Sequence, residues 1–240
     1  MRIVKKMIPI YLLSLSVVLV CSILASRSVT LLSAVLAEQE PSQLPTIVVD
    51  PGHGGEDGGA LSVNGVRESA LNLEMGLRLR DLLRFLGFPA LMTRESDVSI
   101  HDPEAATISE KKISDLKNRV SIANQNDHSL LISLHQNMFS IAKYKGAQTF
   151  YAPTDGSQSL AERIQSLINT QIDRSNHRKA KRCDTAYLLS KIRCTGILVE
   201  CGFLSNPEEE QKLQTAAYQK LLTAAICAGL SQQIDAGSVY

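Results

Sequence analysis

The sequence predicts an α/β fold: a single domain with a mainly parallel, twisted sheet and helices on both faces, preceded by an N-terminal apolar helix. From Thr46 onward, short apolar segments alternate with amphipathic segments, which is the order that builds a parallel sheet through crossover helices. The segments Ser129–His135 and Thr195–Phe203 are largely apolar, as strands buried on both faces tend to be. The 240 residues suffice for one substantial domain.

The amino-terminal half of this domain is predicted as strand, helix, strand, loop and helix: Thr46–Asp50, Glu68–Leu86, Phe88–Arg94, Ser96–Ile113 and Asp115–Asn126. The first helix carries apolar residues at helical spacing from Leu71 to Leu86, and Gly87 ends it. The segment before the second helix shows no clear period, which indicates a long surface loop.

The carboxyl-terminal half is predicted as two strands, a helix, two strands and two helices: Ser129–His135, Gly146–Pro153, Ser157–Arg174, Thr185–Ser190, Thr195–Phe203, a helix opened by Asn206, and about Tyr218 to Ile234. Asn206 is predicted to cap its helix, with Pro207 at the first position and Glu209 completing a capping box. No internal repeat or second module follows.

The amino terminus differs in composition from the rest. A basic start is followed by an uncharged, apolar run from Met7 to Ala25, whose length lies between that of a signal peptide and that of a membrane span. Residues 1–37 are therefore predicted to be a signal peptide, cut near Val35–Ala37, or a retained membrane anchor; residues 38–45 are a linker. Either way, the body is expected to be exported across the cytoplasmic membrane.

The remaining chain is mildly acidic, because 21 basic residues face 24 acidic ones after the first 37 residues. This balance, with no tryptophan, argues against a nucleic-acid partner. Of the five cysteines, Cys21 lies in the apolar run. The spacing of the others fits neither a zinc motif nor a dense disulfide scaffold, so they are predicted to be reduced thiols: Cys183, Cys194, Cys201 and Cys227.

A glycine-rich segment, IVVDPGHGGEDGGA (Ile47–Ala60), follows the first strand with one histidine inside it. Such a loop binds a phosphate or lets a side chain reach a metal. The phosphate interpretation fails on chemistry, because no Lys-Ser or Lys-Thr follows and the loop's own acids repel phosphate.

Four residues are candidates for chemistry. His53 and His135 lie at the carboxyl ends of predicted strands, where open α/β sheets form their ligand sites. Taken alone, His135 is also consistent with a core histidine, and Glu68 with a carboxylate that interacts with the helix dipole. Glu200 ends an apolar strand, so it needs a partner or a raised pKa.

Two histidines and a glutamate are a ligand set that catalytic zinc uses, with one position left for water. Such a metal polarises a carbonyl, and a second glutamate that is not a ligand transfers the proton. Glu200 is the candidate for that second role, and the chemistry indicated is metal-assisted hydrolysis of an amide.

Four blocks together resemble the zinc-dependent N-acetylmuramoyl-L-alanine amidases: VVDPGHGGEDGGA, GVRESALNL, SLHQN and GILVECGFLSNPEE. The likeness covers about Thr46 to Ile234. It implies hydrolysis of the amide between N-acetylmuramic acid and L-alanine in peptidoglycan, zinc ligands at His53, Glu68 and His135, and a catalytic role for Glu200. Residues 46–240 would then be the amidase catalytic domain.

Further segments are similar to the germination-specific spore-cortex amidases: MTRESD, DLKNRVSIAN, GAQTFYAP and RKAKR with YLLS. This similarity implies action on cortex before muramic-δ-lactam formation, at the forespore or cortex side, and leaves room for an accessory or activator protein. The N-terminal segment would contact the membrane if it is not cleaved. Departures from the family pattern are Ser69, Met138 and Cys201, none of them a proposed ligand.

Other positions have open interpretations. Arg94 and Arg119 either pair with acids inside the fold or contact substrate. Asn137 either orients a ligand or binds peptide carbonyls. A basic run is either solvated or meets the carboxylates of the stem peptide: Arg178, Lys179, Lys181 and Arg182. The remaining alternatives for function are another zinc-dependent peptidoglycan peptidase or deacetylase, or an inactive wall-binding subunit.

Overall fold

The structure, a computed structural model, describes residues 44–126 and 128–237. It contains six strands: β1 (Thr46–Pro51), β2 (Ala90–Met92), β3 (Ser129–Asn137), β4 (Gln148–Tyr151), β5 (Lys181–Arg182) and β6 (Thr195–Phe203). The α-helices are α1 (Glu68–Phe85), α2 (Ile108–Ala123), α3 (Ser157–Leu167), α4 (Tyr187–Lys191), α5 (Pro207–Leu213) and α6 (Ala216–Asp235).

The six strands form one sheet in the order β2-β1-β3-β6-β4-β5. Every neighbouring pair is parallel except β4 and β6, which run antiparallel. The predicted α/β fold with a mainly parallel sheet is therefore confirmed. Since β3 and β6 are central and parallel, their carboxyl ends meet at one edge of the sheet.

Helices cover both faces of the sheet, as predicted. Helices α1, α3 and α6 pack on one face, where Met75, Leu160 and Ile226 are fully buried. Helices α2 and α4 pack on the other face, where Ala123 and Leu189 are fully buried. This two-sided burial explains why the central strands are so apolar.

The predicted surface loop is confirmed over residues 96–107, but helix α2 begins at Ile108, so the loop prediction is wrong for residues 108–113. Its start is fixed by a capping box: Glu110 N donates to Thr107 Oγ1 at 3.2 Å, and Thr107 N donates to Glu110 Oε2 at 2.9 Å. The motif Thr-x-x-Glu signals this start in the sequence, although the weak periodicity of the first turn hides it.

The predicted strand at Thr185–Ser190 is also wrong, because Tyr187–Lys191 is the short helix α4. A brief apolar run fits either a strand or a buried helical turn. Leu188 and Leu189 settle the choice by packing into the second core cluster. The predicted helix from Ser157 is shorter than expected: its α-helical part ends at Leu167 and continues as a π-helical turn over Ile168–Ile172.

Helix α5 is capped by Asn206, whose Oδ1 accepts from Glu208 N and Glu209 N, each at 3.1 Å. The reciprocal half of the predicted capping box does not form. The Glu209 carboxylate instead accepts from Gly146 N and Phe203 N, each at 2.9 Å. Glu209 thereby joins the loop before β4 to the end of β6.

The predicted apolar N-terminal helix lies outside the described residues. Over residues 44–126 and 128–237, no helix is long and apolar enough to cross a membrane. The four cysteines predicted to be reduced are free thiols: Cys183, Cys194, Cys201 and Cys227.

Candidate metal centre

Three side chains from separate parts of the chain converge at the carboxyl-terminal edge of the sheet. His53 follows β1, Glu68 is the first residue of α1, and His135 lies near the end of β3. One ligand atom from each lies within 4.8 Å of the others. The structure thus brings together the three residues that the sequence analysis selected as metal ligands.

The Glu68 carboxylate is the centre of this cluster. Its Oε1 lies 2.9 Å from His135 Nδ1 and 3.3 Å from His53 Nε2. Oε1 also accepts from Gln136 N at 3.1 Å, and Oε2 accepts from Ala60 N at 2.8 Å. Burial raises the pKa of Glu68, but the hydrogen bonds and charges of the two histidines outweigh burial and hold the pKa well below its usual range. The group is therefore an anion, the form that binds a metal.

His53 is oriented by a second carboxylate. Its Nδ1 lies 3.0 Å from Asp57 Oδ2, while Nε2 faces Glu68. Burial lowers the pKa of His53, and Glu68 and Asp57 together raise it above the ordinary value. A histidine whose outer nitrogen meets a carboxylate is a common arrangement at metal sites, where it fixes the ring and increases its basicity.

Two positions in the glycine-rich loop have no room for a side chain. A Cβ on Gly52 would lie 2.2 Å from both Cε1 and Nε2 of His135. On Gly59, it would lie 2.6 Å from Glu68 Oε2 and 2.7 Å from His53 Cδ2, and Gly59 has a φ of +66°. The backbone passes so close to the ligand side chains that only glycine fits at either position.

The conformation of His53 itself is strained, because its φ is +62° and left-handed backbone is unfavourable for a residue with a Cβ. Buried hydrogen bonds hold the backbone there. Arg119 donates to His53 O at 2.8 Å and to Pro51 O at 2.9 Å. Arg94 donates to Pro51 O and Gly52 O at 2.9 and 3.1 Å.

These contacts support the structural interpretation of both arginines. Arg119, 2% exposed, forms ion pairs with Asp50 and Asp115, each at 2.6 Å. Arg94 reaches backbone carbonyls of the loop and of Ser69. Both side chains fix the position of the His53 loop from beneath.

Glu200 lies beside the cluster, because it is the register partner of His135 in the neighbouring strand. Paired residues of adjacent strands project from the same face of a sheet. Its Oε2 is buried and has no hydrogen-bond partner among residues 44–126 and 128–237. Burial raises the pKa of Glu200 to about 7, so this carboxyl group is able to take up and release a proton near neutral pH.

Three further residues, not predicted from the sequence, support the ligands. Asp57 contacts His53, Asn72 Nδ2 donates to Gly52 O at 3.1 Å, and Gln136 Nε2 donates to Asn72 Oδ1 at 3.1 Å. Asn72 follows Glu68 by one helical turn and so faces the same side of α1. This spacing was a usable signal, whereas the Asp57 contact depends on the loop's turn.

The remaining candidates are dispersed. Asn137 ends β3, and its carbonyl accepts from Leu204 N at 2.8 Å. Arg178 donates to Gln148 Oε1 and Lys145 O, each at 2.9 Å. Lys179 is exposed, and Lys181 and Arg182 form the exposed edge strand β5, where Arg182 pairs with Asp184 at 2.8 Å. Gln148, the β4 register partner of Glu200, contacts two residues of the basic run: its Oε1 accepts from the Arg178 side chain, and its Nε2 donates to Lys179 O at 2.9 Å.

Comparison with known proteins gives a consistent match. The family model described as N-acetylmuramoyl-L-alanine amidase matches residues 47–232. The germination-specific N-acetylmuramoyl-L-alanine amidase of Bacillus subtilis is 37% identical over 185 residues, 77% of each chain. AmiA of Escherichia coli, also an N-acetylmuramoyl-L-alanine amidase, is 28% identical over 228 residues, which cover 77% of this chain and 74% of AmiA.

Solved structures agree with the sequence comparisons. The CwlD amidase of Clostridioides difficile, solved in complex with the GerS lipoprotein, matches with a TM-score of 0.77 and 36% identity, covering 80% of this chain and 99% of CwlD. An N-acetylmuramoyl-L-alanine amidase from Clostridium difficile 630 matches with a TM-score of 0.69 and 31% identity, covering 81% of this chain and 98% of that one.

Proposed function

Because this chain belongs to the N-acetylmuramoyl-L-alanine amidase family, we propose that it hydrolyses its peptidoglycan amide with zinc held by His53, Glu68 and His135 and with Glu200 as catalytic base. Family membership makes it an amide hydrolase of peptidoglycan. The metal, the residue roles and the cellular setting are the proposal. The observation that carries the proposal is the buried, unpaired Glu200 oxygen beside a His-Glu-His cluster.

The donor set fits zinc. Two imidazoles and an anionic carboxylate, with ligand atoms within 4.8 Å of one another, are the kind of site that catalytic zinc occupies with three protein ligands. Bound there, zinc supplies a Lewis acid that polarises the amide carbonyl and makes water acidic near neutral pH. Asp57 and Gln136 support the ligands from outside, as partners of metal ligands do.

Glu200 performs the proton transfers in this proposal. It accepts a proton from the attacking water and returns it to the nitrogen of L-alanine as the amide bond breaks, so that the stem peptide leaves as an amine. Its raised pKa, about 7, suits a group that serves as a base and then as an acid. Its placement in a rigid central strand keeps the carboxylate beside His135.

The proposed setting is the spore cortex, where the reaction would precede muramic-δ-lactam formation. The support is the likeness to a germination-specific amidase of Bacillus subtilis and to CwlD of Clostridioides difficile. Because CwlD was solved in complex with a lipoprotein, we propose an accessory protein as a partner here as well.

The domain boundaries are part of the proposal. Residues 1–37 export the protein as a signal peptide or membrane anchor, 38–45 form a linker, and 46–240 are the catalytic domain. The enzyme would then act outside the cytoplasmic membrane, where peptidoglycan is. Substrate contacts are proposed at Asn137 and along the basic run: Arg178, Lys179, Lys181 and Arg182.

The test is product analysis of intact sacculi treated with the purified full-length protein and zinc, with and without a chelator. We expect released peptides with a free L-alanine amino terminus and glycan strands that carry unsubstituted N-acetylmuramic acid by mass spectrometry. Cleavage between stem-peptide residues would indicate a peptidase. Loss of acetyl groups with the stems intact would indicate a deacetylase.

A further inference from the structure

A row of polar side chains extends from the candidate metal centre across the sheet. His135 on β3 pairs in register with Glu200 on β6, and Glu200 pairs with Gln148 on β4. Register partners project from the same face of a sheet. The row therefore runs from His135 through Glu200 to Gln148. Its two outer strands, β3 and β4, are two strand spacings, about 10 Å, apart.

Arg178 lies at the far end of this row. Its Nη1 donates to Gln148 Oε1 at 2.9 Å and its Nε donates to Lys145 O at 2.9 Å. The guanidinium also lies over the Phe203 ring, 4.7 Å from the centroid. One guanidinium face is thus supported by an aromatic ring, and two of its nitrogens are fixed by neutral oxygens.

The backbone around Arg178 is held by buried amides. Arg178 N donates to Asn176 Oδ1 at 3.1 Å, and Asn176 Nδ2 donates to Ala147 O at 2.8 Å. Arg178 O accepts from Asn169 Nδ2 at 2.8 Å. Asn176 is only 6% exposed, so the position of Arg178 is set by the protein core and not by solvent.

The charge of Arg178 is not neutralised by a carboxylate. Within the described part of the chain, none of the ion pairs includes Arg178, whereas Arg182 in the same basic run pairs with Asp184. Beside it lies a cavity of about 270 Å³, lined by one acid, Asp173, and by residues that include Lys145 and His177. The Asp173 carboxylate accepts from Ser175 Oγ at 2.6 Å. A fixed, uncompensated cation beside an open cavity is suited to bind an anion.

The direction of the row indicates which anion. In the proposed reaction Glu200 protonates the leaving nitrogen of L-alanine, so the stem peptide departs on the Glu200 side, and Gln148 and Arg178 lie further along that side. Gln148 lies one strand spacing, about 5 Å, from Glu200, and Arg178 lies beyond Gln148. Because a peptide extends about 3.3–3.6 Å per residue, Arg178 is within reach of a residue about two positions from the cleaved bond. The second stem residue is acidic, and its carboxylate is free in some peptidoglycans and amidated in others.

We propose that Arg178 is a specificity-determining residue that binds the free carboxylate of the second stem-peptide residue. This inference rests on the proposed function, because it places the stem peptide on the Glu200 side. It separates Arg178 from the rest of the basic run, because Lys179 and Lys181 are exposed and Arg182 is already paired with Asp184. The enzyme should therefore favour non-amidated peptidoglycan.

The test uses two muropeptides that differ only in whether this carboxylate is free or amidated. The full-length wild-type enzyme should hydrolyse the free acid with kcat/KM about 10–100-fold higher, the usual effect of a charge-assisted hydrogen bond. Arg178→Gln should lose this preference, with the larger fall on the free acid and mainly through KM. Arg178→Lys keeps the charge but lacks the planar guanidinium, so its preference for the free acid should lie between those of wild type and Arg178→Gln.

Arg174→Gln is the matched control, since Arg174 is exposed on the same loop, and it should retain the wild-type preference. If Arg178→Gln loses kcat/KM equally on both substrates, the inference is overturned and Arg178 has a structural role. A wild-type enzyme with the same kcat/KM for both substrates would also overturn it. A wild type that hydrolyses neither substrate would refute the proposed function and this inference with it.

Discussion

At the scale of single residues, Glu68 and Glu200 show how two glutamates a few ångströms from the same histidine acquire opposite properties. Glu68 faces two imidazoles and two backbone N–H groups, so its pKa is lowered and it stays charged. Glu200 is half-buried and its buried Oε2 is unpaired, and the loss of solvent around the carboxylate raises its pKa to about 7. This separation of the two pKa values supports the proposed roles, in which Glu68 binds the metal and Glu200 transfers the proton.

The first prediction concerns Glu200. Glu200→Gln should retain zinc and the fold, because the side chains are nearly the same size, yet lose hydrolysis by about 10²–10⁴-fold, the usual contribution of a general base. Metal content, thermal unfolding and turnover of a defined muropeptide measure the three properties. Turnover within a few-fold of wild type would show that another group is the base.

A second prediction concerns the backbone beside His135. Gly52→Ala should lose zinc and activity together, because the added Cβ would lie 2.2 Å from the His135 ring and displace it from the cluster. Gly58→Ala is the matched control: it lies in the same loop, and the nearest atom to its added Cβ is 3.7 Å away. Full zinc occupancy in Gly52→Ala, measured by metal analysis, would show that zinc binding does not depend on this position of the His135 ring.

The four central residues could be predicted from sequence because His53, His135 and Glu200 lie close to the carboxyl ends of strands and Glu68 begins a helix. Parallel strands bring such positions together. The contact between Asp57 and His53 could not be, since it depends on a tight loop turn in which Gly54 and Asp57 exchange backbone hydrogen bonds of 2.8 and 3.2 Å. Likewise, the closeness of Gln148 to Glu200 depends on the register of β4 against β6, which a sequence pattern does not specify.

At the scale of secondary-structure elements, the first turn of α5 also holds neighbouring segments of the chain by hydrogen bonds. Glu209 and Glu210 are buried there, and their carboxylates reach outward to loops. Glu209 holds Gly146 and Phe203, and Glu210 accepts from Ser62 Oγ at 2.8 Å. One turn of helix thus fixes three segments: the loop before β4, the end of β6 and the loop at Ser62.

The third prediction tests this bracing. Glu209→Ala should lower the free energy of unfolding by about 1–3 kcal/mol, because the buried N–H groups of Gly146 and Phe203 lose their acceptor. Glu208→Ala is the control, since Glu208 is exposed in the same turn and should change stability little. Urea unfolding of both variants gives the comparison, and equal stabilities would contradict the structural role of Glu209.

The elements that sequence patterns did not predict are the short or capped ones. Helix α4 has five residues, fewer than two turns, so its periodicity cannot be distinguished from that of a buried strand. Helix α2 begins with a turn whose residues are mostly exposed, and only its capping box marks it. Longer elements such as α1 and β6 were predicted within a few residues because their burial pattern repeats.

At the scale of the whole molecule, the described residues form one sheet with helices on both faces and a candidate site at the carboxyl edge of its central strands. Alternation of strands and helices was enough to predict this plan. The antiparallel β4 was not predicted, because strand direction depends on how the intervening loop returns to the sheet. That reversal brings Gln148 beside Glu200. The row of polar side chains therefore extends to the side where the stem peptide is proposed to lie.

The fourth prediction concerns the proposed biological setting. In an endospore former, deletion of the gene should give spores that look normal by microscopy but lack muramic-δ-lactam and germinate poorly. Complementation with wild type should restore the lactam, and complementation with Glu200→Gln should not. Normal δ-lactam content in the deletion strain would rule out the cortex role and leave the amidase chemistry intact.

The central claim is that one zinc ion bound by His53, Glu68 and His135 enables the amidase reaction, and a zinc titration tests it most directly. Full-length protein stripped of metal by a chelator should be inactive and should regain muropeptide hydrolysis in proportion to added zinc, with a break at one equivalent. His135→Ala, folded by circular dichroism, should neither bind that equivalent nor recover, whereas His128→Ala, at the other end of β3, should match wild type. Hydrolysis that survives complete removal of metal, or a His135→Ala variant that binds and responds like wild type, would contradict the claim.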